Sequence, residues 1–177
     1  MLSKREDASV SNNETFAFYG FELKIPQGWR VEVNPKGTRN RGDVVFHSPQ
    51  RNKILVSWGL LEEARKRFKT IEEHRDSGIA NVGKSRNVNS ISITESKESQ
   101  ICGHKALVTR VSAGIGGGLL TRGQSEIRSD SVYFYCPENS RYYVVYSLMN
   151  SRDEYPDFSE LFDGVAQSMV CHRLPIE

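Results

Sequence analysis

The sequence predicts an α+β fold: an α-β-α sandwich whose central, mainly antiparallel sheet is covered by helices on both faces. Three observations carry this expectation. The segments KILVSWGLL (residues 53–61) and RYYVVYSLM (141–149) are apolar at both alternating sets of positions, as a strand is when both faces of its sheet are covered. Two other segments carry helical signals, one opening at Thr70 and one running through FSELFDGV. The order of elements is strands, helix, strands, helix, which fits α+β better than alternating βαβ units.

With 177 residues, 37% hydrophobic and 26% charged, the chain has the composition of one soluble globular domain with a full-sized core. Residues 1–15, MLSKREDASVSNNET, have no hydrophobic period and read as a disordered or loosely docked tail; the domain is expected to occupy residues 16–177. In FELKI the apolar and polar residues alternate, and Pro26 then removes the next backbone donor. Gln27-Gly28 is a turn signal, from which the chain is expected to reverse into Trp29–Val33. After the Pro35-Lys36-Gly37 turn, Val44–Phe46 reads as a short strand and Ile54–Leu61 as a two-sided one.

Thr70 and Glu73 have the spacing of a capping box opening a helix, with Ile71, Ile79 and Val82 near one face and Gly78 and Gly83 weakening or ending it. VNSISIT, HKALVTRV, QSEIRSDSVYFYC and RYYVVYSLM follow as a run of strands separated by turns, the pattern of a meander. The last element is a helix with Pro156 in its first turn and Phe158, Leu161, Phe162, Val165 and Met169 on one stripe.

Charge and hydropathy narrow the function classes. A net charge of +2 gives no field that would call for nucleic acid, and no apolar run is long enough for a transmembrane helix. Three cysteines, Cys102, Cys136 and Cys171, are too few for a disulfide framework and read as buried thiols. That favours the cytoplasm; an exported or tethered form from which a leader has been removed stays open, as does the oligomeric state.

The element order and particular residues resemble the PsbP family of extrinsic photosystem proteins and their fold relatives, the Ran-binding Mog proteins. The matching stretches are YGFELKIPQGW, ICGHKALVTRV, a glycine-rich hairpin leading into RGQSEIRSDSVYFYC, and a closing helix ending in AQSM. Together they span Phe16 to Met169. The resemblance implies an antiparallel sheet with helices on both faces and no common chemistry. Plant members support the oxygen-evolving centre of photosystem II and its calcium and chloride retention, Mog proteins engage a small GTPase, and other relatives have no assigned role. Fold analogy therefore leaves function open between a non-catalytic protein-binding or assembly module and a metal- or small-ligand-binding protein of the same fold, a photosystem II-associated role included.

Four groups of residues are weighed as sites. GIGGGLLTRG (114–123) matches neither the dinucleotide fingerprint nor a phosphate-binding loop and reads as a mobile hairpin tip. Cys102-Gly103-His104 and Cys171-His172 would supply thiolate and imidazole ligands if the two segments met. The paired dipeptides of zinc fingers and ribbons are absent, so no cofactor is assigned and Cys102 and His104 stay as weak metal candidates. No nucleophile elbow or comparable signature surrounds a serine, threonine or cysteine, so no catalytic residue is assigned and the chain is read as not an enzyme; His47, His74, His104 and His172 are expected at the surface or at strand ends. The concentrated positive charge of Arg65, Lys66, Arg67 and Lys69, beside Phe68, reads as a solvated loop or as a docking patch for an acidic protein partner.

Overall fold

A computed structural model describes residues 13–84, 87–116, 125–150 and 158–172. The chain is α+β, with nine strands and three helices among these residues. Strands β1 (Asn13–Phe18) and β2 (Phe21–Pro26) form an antiparallel hairpin, and seven further strands form one antiparallel sheet in the order β3-β4-β5-β9-β8-β7-β6. These are β3 (Arg30–Val33), β4 (Gly42–His47), β5 (Lys53–Leu60), β6 (Val88–Ile101), β7 (His104–Ile115), β8 (Ser125–Cys136) and β9 (Arg141–Asn150). The meander expected for the second half is β6-β7-β8-β9, and β9 joins it to the first half by pairing with β5.

Two differences from the sequence reading concern the opening. Asn13, Glu14 and Thr15, inside the expected tail, belong to a strand, because Asn13–Phe18 pairs along the whole of β2. The turn between these strands is Tyr19-Gly20, with φ of 41° and 95°, left-handed conformations matching a tight hairpin turn. Second, Gln27-Gly28 forms the expected turn, yet β2 and β3 do not pair and belong to different sheets. Pro26 ends the β2 ladder, and the chain crosses over so that Trp29 stacks on Phe158 with ring centroids 6.4 Å apart.

Neighbouring residues of β8 meet different helices. Phe134 belongs to a core cluster with Phe21, Leu23 and Ile25 of β2, Val56 and Trp58 of β5, and Phe158, Phe162 and Val165 of helix α3 (Phe158–Gln167). Its neighbour Tyr133 instead meets His74 of helix α2 (Ile71–Gly83), the rings edge to face at 5.3 Å. The stripe expected for α3 is thus borne out at Phe158, Phe162 and Val165; Leu161 is half-buried and Met169 is buried just beyond the helix. Pro156 and residues 117–123 of the glycine-rich stretch lie outside the described residues, while Gly114 and Ile115 at its start close β7. Arg110 ties α3 to the sheet, donating to Glu95 on β6 (2.6 Å) and to Asp163 on α3 (3.0 Å).

Helix α1 (Leu61–Arg67) was not legible as a helix. Leu61, expected to close the preceding strand, starts it, and Arg65, Lys66 and Arg67, read as a loop, form its last turn. Cations there complement the helix C-terminus, as Glu62 and Glu63 complement the start. In α2, Thr70 accepts from the Glu73 amide at 3.2 Å, as the capping spacing predicts, while the Glu73 carboxylate reaches one residue further back, to the Lys69 amide at 2.7 Å. The apolar face expected from Ile71, Ile79 and Val82 is not a core face: α2 buries none of its residues. No helix among the described residues is long and apolar enough to cross a membrane.

Candidate functional site

Two places among the described residues concentrate chemistry. The first is an open groove of about 730 Å³ between the α1–α2 region and the sheet. Its apolar lining includes Phe68, Ile91, Val111, Ile127, Tyr146 and Leu148. Strand β9 was expected to be covered on both sides, but Tyr146 is only half-buried and Leu148 is 40% exposed. The cause is the way α2 docks. Gly78 lets the helix close onto the Tyr133 hydroxyl, where a Cβ would collide, while Val82, at 46% exposure, stands off the sheet.

His74 anchors this docking. Its ring stacks on Phe68 at 4.5 Å with an interplanar angle of 11°, meets Tyr142 edge-on at 5.0 Å, and has Nδ1 3.3 Å from the Tyr135 hydroxyl. Burial, with the Arg67 cation adding to it, lowers its pKa from 6.5 to about 4. The expectation of a surface or strand-end histidine fails here, because the surrounding tyrosines come from β8 and β9 and no local pattern announces them. Burial also pushes the Tyr133 hydroxyl up to about 12.

Lys66 and Arg67, with Glu63, lie on the rim of the groove, and exposed Arg65 and Lys69 lie next to them in the chain. Lys66 pairs with Glu62 one helical turn back at 2.6 Å, and the Arg67 guanidinium lies 5.3 Å from the centre of the Phe68 ring. The cluster is therefore a helix terminus set beside an apolar hollow. It faces the groove through Lys66, Arg67 and Phe68.

The second place joins the two segments whose meeting the sequence could not decide. His104 opens β7 after a two-residue turn, Cys102-Gly103, with φ of 50° and 78°. Continuing the β7–β8 register beyond Ala106–Phe134 brings His104 beside Cys136, on the same face as both. The chain after α3 returns to this corner through the Glu22–Val170 bridge, two backbone hydrogen bonds of 2.8 Å. Asn139 then holds the Cys171 carbonyl at 2.6 Å. Ligand atoms of His104, Cys136, Cys171 and His172 consequently all lie within 4.8 Å of one another.

His172 Nδ1 is 3.2 Å from His104 Nε2, 3.4 Å from Cys136 Sγ and 3.3 Å from Cys171 Sγ. Cys102 stands outside this quartet, 3.8 Å from the same nitrogen. All three cysteines are free thiols, Cys136 and Cys171 buried. Burial raises the pKa of both of these thiols, and burial lowers that of His104 against the opposing pull of Glu138. Sequence reasoning thus found His104 and the Cys171-His172 pair as possible ligands but not Cys136, whose only signal is its place in the β7–β8 register.

No protein-family model matches the sequence, and no curated protein matches it. Among solved structures, that of the cyanobacterial PsbP protein (CyanoP) of Synechocystis superposes with a TM-score of 0.62 at 14% identity, over 97% of this chain and 99% of that one. The Ran-binding protein Mog1p of Saccharomyces cerevisiae gives 0.62 at 10% identity, over 91% of this chain and 96% of that one. This chain has the PsbP/Mog fold. A protein of unknown function from Pseudomonas aeruginosa matches over 92% of this chain and 99% of that one at 12% identity, with a TM-score of 0.50. Identities this low carry the fold alone, so the chemistry of this PsbP/Mog-type chain is argued from its own residues.

Proposed function

We propose that this PsbP/Mog-type chain is a non-catalytic protein-interaction module, an α-β-α sandwich whose docking surface is the groove under α1 and α2. The observation that carries the reading is the juxtaposition of a basic helix terminus, Arg65 to Arg67, with an apolar hollow edged by the exposed side chains of Ile91, Leu148 and Val82. Exposed apolar surface of this kind, rimmed by charge, is what a partner covers. The occupant that fits is an acidic protein segment bearing an aliphatic or aromatic anchor: its carboxylates would meet α1 while the anchor displaces water from Tyr146 and Leu148. The Ran-binding Mog1p of the same fold is a protein-binding precedent. The groove's histidine is taken up in packing rather than aimed at a substrate, which supports a binding role over catalysis.

The test uses full-length protein, its Arg65→Glu/Arg67→Glu variant and Leu148→Asp, each checked for folding by circular dichroism. With the partner recovered by pull-down, association rates are measured at two ionic strengths. The charge reversal is expected to slow association at low salt by about tenfold or more, salt to weaken the wild-type complex, and Leu148→Asp to speed dissociation. Equal rates for wild type and charge reversal at low salt would reject the surface, as would a co-purifying small apolar molecule that fills the groove and excludes the partner.

A further inference from the structure

We propose that His104, Cys136, Cys171 and His172 form a structural zinc site that clamps the end of the chain after α3 to the β6–β7 and β8–β9 turns. The argument begins with geometry. A tetrahedral zinc ion with bonds of about 2.3 Å to sulfur and about 2.0 Å to nitrogen spaces its ligand atoms about 3.3–3.8 Å apart. The contacts around His172 Nδ1, at 3.2, 3.4 and 3.3 Å, fall on or near these edges, and the remaining pairs lie within 4.8 Å. No pair of ligand atoms has to close by more than about 1.5 Å to complete the tetrahedron.

The chemistry of the donor set points to the same metal. Two thiolates and two neutral imidazoles suit zinc and its four-coordinate preference. On binding, Zn²⁺ displaces one proton from each of the two thiols to solvent, and the dication with two thiolates is neutral overall. A neutral cluster is what a buried corner tolerates. All four coordination positions come from the protein, which marks the site as closed and structural, with no place left for a substrate.

The surroundings fit a second layer of support. Glu138 Oε2 lies 3.4 Å from His104 Nε2, the nitrogen that would bind the ion, so it adds a negative charge at the mouth of the site and does not orient the ring. Asn139 bonds both the Tyr143 hydroxyl and the Cys171 carbonyl, each at 2.6 Å, and so fixes the chain between two ligands. Outer partners of this kind orient metal ligands. The inference is independent of the docking reading, since the groove and this corner share no residue.

The experiment uses the full chain, purified under reductant, loaded with zinc or cobalt and freed of excess ion. One zinc per chain is expected, and the cobalt form is expected to show the visible bands of four-coordinate cobalt with thiolate-to-metal charge transfer. His104→Ala, at a partly accessible position, should weaken zinc affinity about a hundredfold or more, since loss of an outer partner alone costs about 10–100-fold. Cys136→Ser/Cys171→Ser should abolish the charge-transfer band, and Cys102→Ser should leave stoichiometry and spectrum unchanged. Metal well below one equivalent in folded protein with all thiols reduced would overturn the proposal. An unaltered cobalt spectrum in His104→Ala would also overturn it, and that variant decides the matter even if the double serine variant fails to fold.

Discussion

Helices α2 and α3 both lie against the sheet, yet they hold to it in different ways. Helix α3 inserts Phe158, Phe162 and Val165 into the core cluster, with Trp29 stacked on Phe158 and the β1–β2 hairpin beside it. Helix α2 buries none of its thirteen residues and holds on through the close approach of Gly78, the His74 ring and a 2.8 Å hydrogen bond from Arg75 to Ser96 of β6. The difference teaches where this fold keeps its stability and where it keeps exposed apolar surface. A continuous apolar stripe seals its face, whereas point contacts at Gly78 and His74 leave a hollow beside them that a partner can enter.

The largest expected effect lies on the sealed face. Phe162 is fully buried, so Phe162→Ala removes a large side chain from a core with little room to collapse. A loss of about 3–5 kcal/mol is expected in the denaturant midpoint. Stability within about 1 kcal/mol of wild type would mean that α3 is not the structural helix and that the contrast with α2 is wrong.

A smaller effect is expected at Gly78. Alanine there gains about 1 kcal/mol of helix propensity but places a methyl group against the Tyr133 hydroxyl. If that close approach holds α2, amide protection across residues 71–83 should fall in Gly78→Ala while β8 and β9 stay protected, with net destabilisation of no more than about 2 kcal/mol. A more stable protein with unchanged α2 protection would remove Gly78 from the account.

The same contrast explains what could be read from the sequence. The stripe of α3 was legible because helical period and burial coincide in Phe158, Phe162 and Val165. The strands were legible because alternation and turn residues agree, and the two-sided pattern of β5 marked a central strand. Helix α1 was hidden: seven residues carry too little period, and its five charges imitate a loop. Nor was β1 visible as a strand, since Tyr19-Gly20 is a weaker turn signal than Asn-Gly and only register with β2 defines it. The docking of α2 was misjudged because Ile79 and Val82 suggested a core face, while the groups that hold the helix, Tyr133, Tyr135 and Tyr142, lie more than fifty residues away. The Cys/His corner was half legible. Its residue types stood out in Cys102-Gly103-His104 and Cys171-His172, but only the β7–β8 register and the Glu22–Val170 bridge bring Cys136 and the chain end to them.

The smallest expected effect is a pH dependence confined to the loosely held helix. His74 lies among Phe68, Tyr133, Tyr135 and Tyr142 with Arg67 as the nearby cation, and its pKa in the fold is lowered from 6.5 to about 4 by burial first and that cation second. The unfolded chain therefore binds a proton that the folded chain resists. It follows that the contribution of His74 is complete above about pH 6.5 and is lost as the pH falls towards 4. Because the ring is only partly buried, solvent screens the effect and the change should be modest. Amide exchange in α2, compared at about pH 7 and about pH 5 after correction for intrinsic rates, should show weaker protection at the lower pH in wild type. His74→Phe keeps an aromatic ring and cannot titrate, so its α2 protection should change less over the same interval. Other titrating groups, among them Asp130, whose carboxyl burial pushes up, are the same in both proteins and cancel in the comparison. Parallel behaviour of the two would show that protonation of His74 does not loosen α2, and the stack on Phe68 would then have to hold the helix without regard to charge.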